Sequence, residues 1–138
     1  MDGENRSDVK VLVIDDSETA RAAMAETLLE AGYRVLELPS AIGATRTILR
    51  NDVQAVIMDV TMPGLSGDML VRVLRSNSRL KDLVIVVVSG MATENLERIR
   101  VEVGADAVLA KTDIESDLAL LVLRLLAMSP AERAEAKR

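Results

Sequence analysis

A chain of 138 residues, 49% hydrophobic and 28% charged, is long enough for one domain with a real core and is not a disordered segment. It has no cysteine and no histidine, which excludes disulfides, thiolate metal sites and the commonest general base, so any metal must be a hard cation held by oxygen, such as Mg²⁺. A net charge of −5 with Tyr33 as the only aromatic argues against direct nucleic-acid binding, and no apolar run reaches the roughly 18 residues of a membrane span.

The polar start, MDGENRSD, lacks the apolar stretch of a signal peptide; residues 1–8 read as a flexible tail, and a cytoplasmic protein is expected. Residues 9–14 (VKVLVI) form a short, continuous, β-branched run, the pattern of a strand buried on both faces of a parallel sheet. A helical pattern follows over 17–31, with Ala20, Met24, Leu28 and Ala31 on one face and Gly32 as its stop signal. Residues 33–38 alternate and suit an edge strand, and 41–50 read as a short helix. Two further buried-strand runs, 53–58 and 83–88, flank a helix expected over 67–77.

A fourth helix is expected over 93–103, closed by Gly104, and a short fifth strand over 106–110. Thr112 and Glu115 have capping-box spacing and are expected to open a fifth helix running to Met128. The tail, 129–138, carries its own start signal in Ser129, Pro130 and Glu132, consistent with a short extra helix or a linker. Strict alternation of strand and helix implies one α/β domain over 9–128. Its parallel sheet has right-handed crossovers and helices on both faces.

In such a sheet ligands bind beyond the carboxyl ends of the strands. The expected strand ends carry Asp15 and Asp16, Asp59, Ser89, and Lys111. Three neighbouring carboxylates cannot all stay ionised unaided; a divalent cation together with Lys111 would balance them. Asp59, exposed before a Pro- and Gly-containing loop and beside a lysine, has the chemistry to attack phosphorus and form an aspartyl phosphate. Lys111, Ser89 and the metal would then stabilise the equatorial oxygens.

These residues stand in IDDS (14–17), MDVTMPGLSG (58–67), VVSG (87–90) and the lysine after GADAVLA. The set resembles the receiver domains of two-component response regulators, and the likeness runs over about 9–127. The resemblance implies a flavodoxin-like, doubly wound sheet of five parallel strands in order 2-1-3-4-5 with five helices. It implies Asp59 as phosphoacceptor and a Mg²⁺ bound by Asp16, Asp59 and the backbone carbonyl of Thr61, with Asp15 acting largely through water. Lys111 would pair with the phosphoryl group, and Ser89 would move toward it and shift the loop that follows. The donor would be a phosphohistidine on a histidine kinase or histidine phosphotransfer protein. The protein would catalyse only its own phosphorylation and dephosphorylation.

Two positions depart from the family pattern. Val108 stands where a switching aromatic is usual, and Thr112 where a proline usually follows the lysine in a cis peptide. A cis bond before a non-proline residue costs roughly 3 kcal/mol, so a trans peptide is expected, with Thr112 capping the next helix. Thr61 and Met91, neither acidic nor amide-bearing, suggest a long-lived phosphorylated form. On the fifth helix, Leu118, Leu121, Val122 and Leu125 would cover the sheet while Leu120, Leu123 and Ala127 face solvent. That makes the face of the fourth helix, fifth strand and fifth helix the expected contact surface for a homodimer or a downstream target. Two rivals stay open: an interaction module that needs no phosphate, and a haloacid-dehalogenase-like phosphatase. The latter family wants Asp-x-Asp, whereas here the acids are adjacent.

Overall fold

A computed structural model describes residues 8–60, 67–90 and 96–136. Five strands, β1 (Lys10–Ile14), β2 (Arg34–Leu38), β3 (Ala55–Asp59), β4 (Val84–Ser89) and β5 (Ala107–Ala110), form one sheet in the order β2-β1-β3-β4-β5. Every pairing is parallel. The helices α1 (Glu18–Glu30), α2 (Ala44–Asn51), α3 (Gly67–Arg75), α4 (Leu96–Val103) and α5 (Ile114–Leu126) alternate with the strands. The flavodoxin-like, doubly wound architecture expected from the sequence is the one observed.

The strand sequences explain the two-sided core. Alternate residues of a strand point to opposite faces, so a strand apolar at every position buries both. Leu12, Ile14, Val56, Met58, Ile85 and Val87 meet Ile48 of α2 and Leu70, Val71 and Leu74 of α3. Val11, Val13, Ile57, Val86 and Val88 meet Met24 and Leu28 of α1 and Leu118, Val122 and Leu125 of α5. The register aligns Ile14, Met58, Val87 and Val108 in one row across the sheet. Val108 thus continues an apolar row with a side chain that is only half buried.

The stop signals hold: Gly32 and Gly104 both take positive φ, 99° and 80°, directly after the turns that end α1 and α4. The expected Thr112–Glu115 capping box does not form. Lys111–Asp113 wind into a 3₁₀ turn, so α5 begins at Ile114 with Asp113 flanking it and no side-chain cap. No described peptide bond is cis, as expected for Lys111–Thr112. On α5, Leu118, Val122 and Leu125 are buried and Leu121 is half buried, while Leu120, Leu123 and Ala127 lie outside.

The tail forms a sixth helix, α6 (Pro130–Ala136). Its start is a reciprocal capping box: the Ser129 N–H donates to Glu132 Oε1 at 2.8 Å and the Glu132 N–H to Ser129 Oγ at 3.1 Å. Among the described residues, no helix is long and apolar enough to cross a membrane. The expected N-terminal tail (save Asp8), the start of the fourth helix before Leu96, Thr61 and Met91 lie outside the described residues.

Candidate functional site

The carboxyl edge of the sheet gathers the polar residues because the apolar runs end together there. Asp15 follows β1 and is fully buried; its backbone N–H continues the ladder to Leu38 O at 3.2 Å. Asp59 is the last residue of β3 and is 2% exposed, so the exposure expected for its carboxylate is not observed: it sits in the strand end beneath Lys111. Lys111 follows β5 and reaches back across the sheet edge. Its Nζ donates to Asp59 Oδ2 at 3.0 Å and lies 3.3 Å from Asp15 Oδ2. The second contact is an ion pair without hydrogen-bond geometry, so that oxygen of Asp15 keeps no hydrogen-bond partner.

Asp16, next in the chain, is exposed. One carboxylate oxygen each from Asp15, Asp16 and Asp59 lies within 4.8 Å of the others. Two carboxylates in this cluster, Asp15 and Asp59, are buried, and the Lys111 ammonium pairs with both. Burial lowers the Lys111 pKa, but the hydrogen bond and charge of Asp59, with the charge of Asp15, outweigh it and hold the ammonium above the ordinary lysine value. The cluster still carries an excess of negative charge.

That donor set fits a hard divalent cation, which takes oxygen ligands at about 2.0–2.1 Å and retains waters beside one or two carboxylates. The three acids differ in readiness. Asp15 Oδ1 already accepts the Ser17 N–H at 2.9 Å and Oδ2 faces Lys111, whereas Asp16 points into solvent. Ser89 ends β4 between the strands of Asp59 and Lys111, fully buried and in register with Ala110.

One contributor was not legible in the sequence. Arg21, in the first turns of α1, donates from Nη1 to the backbone carbonyl of Asp15 at 2.7 Å and from Nε to Glu37 at 3.2 Å. It ties the loop of the acid pair to β2. Only its nearness to the pair in the chain could have drawn attention to it. Ser17, between them, caps α1 by accepting the Ala20 N–H at 3.2 Å.

An open, doubly wound parallel sheet with buried carboxylates, an acid pair and a lysine at its carboxyl edge defines an α/β module with an acidic site at the strand ends. The chain belongs to the response regulator receiver domain family, which it matches over residues 11–122. It is similar to the two-component response regulator ORR6 of Oryza sativa subsp. japonica, 33% identical over 125 residues, which are 88% of this chain and 74% of that protein. It is also 37% identical over 83 residues to the chemotaxis protein CheY1 of Helicobacter pylori, covering 59% of this chain and 67% of that protein. A match to a gliding motility regulatory protein of Myxococcus xanthus, 30% identical, spans 77% of this chain but 14% of that longer protein. Among solved structures, the chemotaxis response regulator CheY4 of Vibrio cholerae superposes with a TM-score of 0.76 at 28% identity, covering 86% of this chain and 98% of that one. Members of the family are signalling modules rather than classical enzymes.

Proposed function

We propose that the protein is phosphorylated on Asp59 and signals through altered protein–protein contacts. The observation that carries this reading is the Lys111 ammonium, 3.0 Å from Asp59 Oδ2, in a cluster with too few cations for its carboxylates. Asp16 and Asp59 would hold Mg²⁺ directly, with the Thr61 carbonyl, and Asp15 through water; both oxygens of Asp15 already have neighbours. When bound, the metal supplies charge neutralisation at the phosphoryl oxygens.

The step conserves atoms and electrons. A carboxylate oxygen of Asp59 attacks phosphorus in line, a C–O–P linkage forms, and the P–N bond to the donor imidazole breaks, its electron pair staying on nitrogen. Lys111 then trades a carboxylate for a phosphoryl oxygen, and the Ser89 hydroxyl donates to another. Attack of water on phosphorus returns the carboxylate and inorganic phosphate. The donor that the family implies is a phosphohistidine of a histidine kinase or phosphotransfer protein, on a separate chain because this one has no histidine.

Phosphorylation shifts a population of the Ser89–α4 region rather than building a new fold. The surface that reads it is α4, β5 and α5, where Val101, Leu120 and Leu123 are 66%, 49% and 37% exposed. It suits a second copy or a downstream target. Incubation with acetyl phosphate and Mg²⁺ tests the acceptor: the wild type gains the mass of one phosphoryl group and Asp59→Ala gains none. An equal gain in both overturns it.

A further inference from the structure

The helix beyond the family match, α6, is attached in an unusual way. Its residues are exposed except for one, and that one is an arginine: Arg133 is 5% exposed and is the helix's only buried side chain. Its neighbour α5 is held by Ile114, Leu118, Val122 and Leu125, whose burial is spread over more than three turns. The docking of α6 therefore rests on one guanidinium rather than on an apolar face.

That guanidinium spans the amino edge of the sheet. Nη1 donates to the carbonyls of Met128 at 2.8 Å and Leu125 at 3.2 Å, and Nη2 to the carbonyl of Asp82 at 2.9 Å. Nε lies 3.5 Å from Asp106 Oδ1 and has no hydrogen bond of its own. Asp106 is more firmly held on its other side. Its Oδ2 accepts from Arg75 Nη2 at 2.7 Å and from the Ile85 N–H at 2.8 Å. Of the ion pairs at Asp106, the one to Arg133 is the long one.

Asp106 and Lys111 are the two ends of one strand. β5 lies between them, and the two residues stand five positions apart, about 16 Å of extended chain. β5 is one of the two edge strands, bonded to β4 alone, so it is less restrained than the strands inside the sheet. One end is tied to Asp59 and Asp15 through Lys111, the other to Arg75 and Arg133 through Asp106. In the unphosphorylated protein both ends are tied down by ion pairs. A ligand that draws Lys111 away from the carboxylates moves one end, and the long Arg133 contact is the first to fail at the other.

We propose that α6 is a latch: Arg133 holds it shut on the unphosphorylated protein, and a phosphoryl group at Asp59 releases it through Lys111, β5 and Asp106. This rests on the assignment of Asp59 as acceptor. Release would free α6 from the floor of the 420 Å³ cavity that Leu80, Leu83, Leu126, Met128 and Arg133 line, so the signal would reach the chain's C-terminal segment as well as the α4–β5–α5 face. Coupling of this kind is reciprocal: whatever opens the latch must also favour the ligand.

Hydrogen exchange of the full chain, with and without Mg²⁺ and beryllofluoride, tests this. In the wild type the ligand protects the peptide covering residues 55–60 and speeds exchange in 130–136 by at least about threefold. In Arg133→Leu, exchange in 130–136 is fast in both conditions, the 55–60 response persists, and beryllofluoride binds at least about threefold more tightly. A responsive 55–60 with an unchanged 130–136 in the wild type overturns the latch, and needs no variant. Unchanged beryllofluoride affinity in Arg133→Leu overturns it too, leaving Arg133 a structural staple. No response at 55–60 overturns the Asp59 assignment instead, and Asp59→Asn supplies that baseline.

Discussion

Among the described residues, two buried carboxylates pair with one ammonium at the carboxyl edge of the sheet, beside a third, exposed carboxylate, while at the amino edge one carboxylate is shared by two guanidinium groups. Both clusters meet an end of β5, through Lys111 and Asp106, and both bury acidic side chains, Asp15 and Asp59 at one end and Asp106 at the other. The amino-edge cluster carries its own counter-ions: Asp106 is met by Arg75, Arg133 and the Ile85 N–H, and the guanidinium groups also reach five carbonyls, in three loops and near the end of α5. The carboxyl-edge cluster is left short of positive charge and open on the side of Asp16. A charge cluster built for stability brings its own counter-ions; one built for a ligand leaves a deficit the ligand fills.

Removing an acid should therefore have opposite consequences at the two ends. The largest effect belongs to the amino edge. Asp106→Ala strands two guanidinium groups and the Ile85 N–H, and should destabilise the domain by about 3 kcal/mol in urea unfolding. Lys111→Ala comes next, at about 2 kcal/mol, because it leaves Asp15 and Asp59 buried together without a cation. Its pH dependence has a definite sign. The folded-state pKa of Lys111 lies above the ordinary 10.5, so its stabilisation is complete at neutral pH and is lost only as pH rises through that value and beyond. The stability gap between wild type and Lys111→Ala should thus be flat across neutrality and narrow only in alkali. The smallest effect has the reverse sign: Asp16→Asn relieves repulsion at an exposed position and should stabilise the metal-free protein by about 0.5 kcal/mol.

The sequence was explicit about one edge and silent about the other. The strands could be read because Val, Ile and Leu runs of this length have few alternatives, and their ends located Asp15, Asp16, Asp59, Ser89 and Lys111 without any contact being known. The amino-edge clamp could not be read that way. Asp106, Arg75 and Arg133 look like three solvated charges far apart in the chain, and only the packing of α3, β5 and α6 brings them together. The Thr112–Glu115 box failed for a related reason. Local spacing favoured a cap there, but the 3₁₀ turn at Lys111–Asp113 delays the helix until Ile114. Arg21 belongs with the clamp: a helix cation that acquires its role only by meeting the Asp15 carbonyl.

Thermal unfolding against Mg²⁺ concentration tests the central contrast most directly. A ligand at 100 times its Kd adds about 2.7 kcal/mol, on the order of 8 °C in Tm for a domain of this size. The account predicts that rise for the wild type and for Asp106→Asn, and its loss in Asp16→Asn and Asp59→Asn. A wild type indifferent to Mg²⁺, or a rise that survives in both carboxyl-edge variants, would contradict it.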